Sequence, residues 1–145
     1  MSIDARTMRT TRVLPYPPAA IYHAFASPAL LAQWWGPEGF TNSFDVFEFK
    51  PGGRWMFAMH GPDGQSYANE SLFTELESDR TVVIEHVCAP LFTLTVQLNA
   101  VANGTEVSWA QVFADIETAQ AVKHIVEPAN EQNLDRLTRL LSSAQ

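Results

Sequence analysis

The stretch SPALLAQWWGPEG, residues 27–39, decides how the rest of the chain is read. Ser27 suits an N-cap and Pro28 a first helical position, because neither needs an intrahelical amide partner there. Leu30, Leu31, Trp34 and Trp35 recur at helical spacing, so one side of this short segment is apolar and must pack against something. Gly36 can take the left-handed position that follows a helix, and Pro37 prevents any continuation. The segment is therefore a short helix that delivers two adjacent indoles to its own end, beside a loop, where they close a core or roof a cavity.

Upstream, Thr7 to Tyr16 mixes Thr, Arg, Val and Leu as a half-exposed strand does, after a loose start at residues 1–5, and Pro15, Pro17 and Pro18 end it. Pro18 also opens a helix in which Ala20, Ile21, Ala24 and Phe25 form one apolar stripe, so two short helices follow the first strand. Downstream of Gly39 the pattern changes to period two. Strands are predicted at 42–50, 54–60, 66–76, 81–88, 91–100 and 104–113. The breaks between them are Pro51–Gly53, GPDG at 61–64, ESDR, Ala89–Pro90 and Asn103–Gly104. Short links make the roughly seven strands mostly antiparallel. From Glu117 to Leu141 helical spacing returns: Val122, Ile125, Val126 and Ala129 continue into Leu134, Leu137, Leu140 and Leu141. Pro128 lies inside this run and predicts a kink or break near His124 to Glu127. A curved antiparallel sheet with one long helix on its face satisfies both apolar surfaces, which gives an α+β fold in a single domain over residues 1–145.

Size and composition agree with one ordinary domain: 145 residues, 46% hydrophobic, with a formal charge of −7. No basic cluster is present, which argues against nucleic acid or an anionic membrane surface as a partner. The one cysteine, Cys88, cannot form an internal disulfide. With no signal-peptide-like start and no apolar run long enough to span a bilayer, a cytoplasmic setting without membrane insertion is expected. The four histidines and Cys88 lack metal-ligand spacing, and no Walker, dinucleotide or GxSxG pattern occurs, so no metal or cofactor is called for.

Phe25, Pro28, Leu31, Trp34, Trp35, Gly36 and Pro37, the PGG turn at 51–53 with Trp55, the GPDG turn and NLDRLTRLL at 133–141 together resemble a known family. It is the one named for the activator of the 90-kilodalton heat-shock chaperone ATPase, within the START or birch-pollen-allergen-like (SRPBCC) superfamily. The resemblance implies a helix-grip fold, in which a curved sheet of six or seven strands wraps a long C-terminal helix. Small members of the family have no assigned activity, and the eukaryotic activators carry an additional domain, so direct chaperone activation is not expected. This chain departs from the family in Pro128 and in EPANEQ, residues 127–132, where a large aromatic residue is usual.

Within such a fold, polar residues in phase with apolar ones become candidates for an internal site. Glu70 alternates with Ala68 and Leu72, His86 with Val82 and Ile84, and Gln111 with Val107, Trp109 and Phe113. With Trp34, Trp35, Phe40, Trp55, Phe57 and Trp109 they are the residues predicted to line a ligand cavity. Three functions follow. The first is a module that binds a small hydrophobic or amphipathic molecule, with Glu70, His86 or Gln111 orienting it. The second is a cyclase-, dehydratase- or hydrolase-like enzyme using Glu70 or His86 as general base. The third is a chaperone- or stress-related interaction protein. An exposed edge strand also offers a route to a homodimer. His60 reads as a surface residue at a strand end, and Cys88 as a packed small residue.

Overall fold

The computed structural model describes residues 3–143. A 3-10 turn, Ile3–Arg6, stands where the sequence suggested a loose start; residues 1 and 2 lie outside the described residues. Seven strands follow in chain order: β1 Thr7–Leu14, β2 Thr41–Phe47, β3 Gly53–His60, β4 Ser66–Glu77, β5 Thr81–His86, β6 Phe92–Val101 and β7 Gly104–Phe113. Between β1 and β2 come α1 Pro18–Ala26 and α2 Pro28–Trp34, and the chain closes with α3 Ile116–Ser143. The strands form one sheet in the order β1-β7-β6-β5-β4-β3-β2, antiparallel at every pairing. The first strand therefore pairs with the last, and the meander from β2 to β7 needs only short turns.

The ends of α2 follow the local chemistry. Ser27 Oγ accepts from Leu30 N at 3.3 Å, and Gly36 takes a φ of 93° just past the helix. A Cβ on Gly36 would stand 2.6 Å from the Met59 methyl, the movable end of a flexible side chain, so it is the backbone conformation that favours glycine there. Trp34 is fully buried; its Nε1 donates to Ala24 O at 3.0 Å, which locks α2 onto α1, and its ring meets Phe25 edge-on.

Alternation sets the buried face of the sheet. On β7, Thr105, Val107, Trp109, Gln111 and Phe113 all point inward. They join Val82, Ile84, Leu94, Val96 and Leu98 from the neighbouring strands and Leu134, Leu137 and Leu141 from α3 in the core. Two register shifts, between Phe44 and Val46 and between Phe73 and Glu75, change the phase of β2 and β4 part-way along.

Two expectations for α3 are corrected. The helix runs unbroken through Pro128. Proline removes the donor for the His124 carbonyl, but His124, Glu127 and Pro128 are all exposed, so water can serve that carbonyl and the helix need not end. The apolar stripe departs from its spacing at Ile125, which is 61% exposed. In the N-terminal half of α3, Ala119, Val122 and Val126 pack on a smaller cluster with Met8, Phe92 and Phe113, while the C-terminal half enters the main core.

Candidate functional site

Between the sheet and the middle of α3 a cavity of about 250 Å³ remains. Its floor is the inner face of the sheet: Phe57 and Met59 of β3, Asn69 and Ser71 of β4, Ile84 and His86 of β5, Phe92 and Leu94 of β6, and Trp109 and Gln111 of β7. Val126, Ala129, Asn130 and Asn133 of α3 cover it, and Trp35, Gly36 and Pro37 form one side. Three larger hollows, of about 350, 400 and 460 Å³, are more open and lie outside the core, so none brings buried groups together as this one does.

The Trp35–Pro37 side is fixed from α3. Arg136 Nη1 donates to the carbonyls of Trp35, Gly36 and Pro37 at 3.0, 2.9 and 2.9 Å, and its Nη2 donates to those of Gln33 and Phe40, both at 2.9 Å. One guanidinium thus serves five carbonyls around the end of α2, where the helix leaves acceptors without donors and where a cation is favoured. Burial lowers the Arg136 pKa from its usual value, and the nearby Glu38 carboxylate opposes that shift. Asn133 adds two bonds, Nδ2 donating to Trp34 O at 2.9 Å and Oδ1 accepting from Gly36 N at 3.4 Å.

The polar part of the lining is a set of paired groups. His86 is 6% exposed and stacks on Phe92, with ring centroids 4.6 Å apart. Its Nδ1 lies 2.7 Å from Pro90 O, a group that only accepts, so Nδ1 carries hydrogen. Its Nε2 lies 2.8 Å from Asn69 Oδ1, while Asn69 Nδ2 donates to Tyr67 O at 3.0 Å. Cys88 Sγ stands 3.5 Å from the same Nε2, a neighbour that the sequence did not reveal because β5 ends between the two residues. Across the cavity, Asn130 Nδ2 donates to Gln111 Oε1 at 3.0 Å. Asn130 belongs to the EPANEQ segment, so the place where an aromatic residue was expected supplies an amide to the cavity instead.

Of the nine residues singled out from sequence, Trp35, Phe57, His86, Trp109 and Gln111 line the cavity. The other four are corrected. Trp34 and Trp55 are fully buried core residues that do not reach it. Phe40 sits beyond the Trp35–Pro37 loop and packs against Tyr67, with centroids 6.3 Å apart. Glu70 is exposed on the opposite face of the sheet, because Ser71 and Phe73 take the inward positions on β4. Ala68 and Leu72, with which Glu70 alternates, therefore gave a misleading phase, and the register shift after Phe73 turns Leu76 towards the core as well. A general base at Glu70 has no access to the cavity. Sequence reasoning missed Asn69, Ser71, Asn130 and Asn133; for the α3 pair, the signal was an amide at helical spacing within an apolar stripe.

Among the described residues no group of three or more His, Cys, Asp or Glu is arranged to hold a metal ion, and no helix is long and apolar enough to cross a membrane.

An antiparallel sheet closed over by a long C-terminal helix, with a cavity between them, defines a helix-grip protein. The family model described as Activator of Hsp90 ATPase homolog 1-like protein matches residues 15–142, and the chain belongs to that family. Solved structures agree on the fold. A protein from Nitrosomonas europaea is similar at 17% identity with a TM-score of 0.89, over 98% of this chain and 97% of that one. A protein from Chromobacterium violaceum shares 27% identity with a TM-score of 0.82, over 92% and 96% of the two chains. One from Rhodobacter sphaeroides shares 25% with a TM-score of 0.86, over 97% and 95%. No curated protein matches the chain.

Proposed function

We propose that this protein binds a small hydrophobic or amphipathic molecule in the cavity between the sheet and α3. One observation carries the reading: a space of about 250 Å³ is walled by Trp35, Phe57, Phe92 and Trp109 and also holds His86, Ser71, Gln111 and Asn130. Apolar walls with a few convergent polar groups are what a small-molecule site requires, and the volume falls just below the roughly 300–1,000 Å³ of drug-sized pockets. Apolar surface supplies the affinity, and the amide, hydroxyl and imidazole groups supply orientation.

Calorimetric titration with small phenols and neutral aromatics tests this on the parent, on Ala129→Phe and on Glu70→Gln. Ala129 lines the cavity and Glu70 lies outside it. Saturable one-to-one binding with a negative heat-capacity change is expected for the parent and for Glu70→Gln. Ala129→Phe should bind at least tenfold more weakly while keeping the parent's far-ultraviolet circular dichroism. Unchanged affinity in Ala129→Phe, or no binding by any probe to the parent, overturns the proposal.

A further inference from the structure

Two polar side chains in the cavity lack partners although each is more than nine-tenths buried: Ser71 is 2% exposed and Gln111 is 7% exposed. Gln111 uses Oε1 to accept from Asn130, which leaves both Nε2 hydrogens without an acceptor among the described residues. The side-chain polar atoms sealed away without any partner are Asn42 Oδ1, Trp55 Nε1 and Trp109 Nε1, and neither Ser71 Oγ nor Gln111 Nε2 is among them. Those two atoms therefore reach open space, and the space both residues line is the cavity. Buried donors without acceptors are costly, so each invites a ligand atom.

Their placement sets the length of that ligand. Ser71 is on β4 and Gln111 on β7, three strands apart, on the order of 14 Å across a sheet before curvature shortens it. On the intervening strands Ile84 and Leu94 lie in the Gln111 row, while His86 and Phe92 lie in the Ser71 row, so apolar side chains border the Gln111 end and the imidazole borders Ser71. The lining contains no Asp, Glu, Lys or Arg. Both ring nitrogens of His86 already face partners, and the Arg136 guanidinium is engaged by five backbone carbonyls. Both His86 partners are acceptor oxygens, so the imidazole offers nothing to balance a cation, and a cationic ligand group would be buried without a counter-charge.

We infer that the cavity selects a flat molecule without positive charge, with a carbonyl acceptor at the Gln111 end and a hydroxyl at the Ser71 end. The inference rests on the proposed ligand-binding function and deepens it. The probes are 4′-hydroxyacetophenone and tyramine, which share a phenol and differ in carrying a ketone or an ammonium, together with acetophenone and p-cresol, which each lack one polar end.

Calorimetry on the parent should place 4′-hydroxyacetophenone at least tenfold tighter than the ammonium. Gln111→Leu should weaken both ketones about tenfold and leave p-cresol unchanged, whereas Ser71→Ala should weaken 4′-hydroxyacetophenone and p-cresol but not acetophenone. If the ammonium probe matches the ketone, or Gln111→Leu weakens p-cresol as much as the ketones, the inference fails. The order among parent complexes decides the point even where a variant does not fold. Binding of p-cresol with no advantage for the ketone overturns this selectivity and leaves the binding function standing; failure of every probe, p-cresol included, removes both.

Discussion

Asp115 begins α3 with two bonds to one residue: Oδ1 accepts from Thr118 N at 2.7 Å and Oδ2 from the Thr118 hydroxyl at 2.9 Å. Both favour the carboxylate, the backbone bond more, and hold its pKa below the usual value of 3.8. Because the folded value is the lower one, the stabilisation is complete above the unfolded value and is lost as pH falls through the folded one. Asp115→Asn keeps an N-cap acceptor without the titration. Its melting temperature is therefore expected to fall less than the parent's between about pH 4 and pH 2 in thermal scans, after correction for the difference at neutral pH. Single residues also show where sequence stops being readable. Glu70 and Ser71 are adjacent and occupy opposite faces of β4, so a one-residue error in phase exchanges a surface carboxylate for a cavity hydroxyl. His86 and Gln111 were legible because no register shift interrupts β5 against β6 or β6 against β7.

Elements were more legible than side-chain directions. The cap at Ser27, the stop at Gly36–Pro37 and the turns at 51–53 and 61–64 each depend on nearby chemistry, and all stand where the sequence puts them. The path of α3 was less legible, since whether proline breaks a helix depends on which carbonyl loses its donor and on whether water can reach it. What anchors α2 was not visible at all, because Arg136 lies about a hundred residues from the carbonyls it binds. Replacing that guanidinium leaves several acceptors at the end of α2 without donors. Arg136→Met is expected to lower unfolding free energy by about 2–4 kcal/mol in denaturant titrations, and Arg136→Lys to recover only part of it, since one ammonium cannot reach five carbonyls.

Across the whole molecule, one core joins α1, α2, the sheet and the C-terminal half of α3. Leu137 is fully buried within it. Leu137→Ala should cost about 2–5 kcal/mol, and circular dichroism and fluorescence should report the same midpoint, because no separate unit exists to melt first. The global fold was readable because both periodicities, the helical and the alternating, span long stretches; the cavity was not, because its lining comes from β3 to β7, the end of α2 and the middle of α3, which are far apart in the chain. The same core has an optical consequence. All four tryptophans touch in one group, with Trp34 to Trp35 at 5.6 Å, Trp35 to Trp55 at 5.1 Å, and Trp109 at 6.5 Å from Trp34 and 6.1 Å from Trp35. At such separations the indoles share excitation, so the intrinsic emission of the chain behaves as that of one composite chromophore. An occupant that touches only Trp35 or Trp109 therefore changes the light from all four.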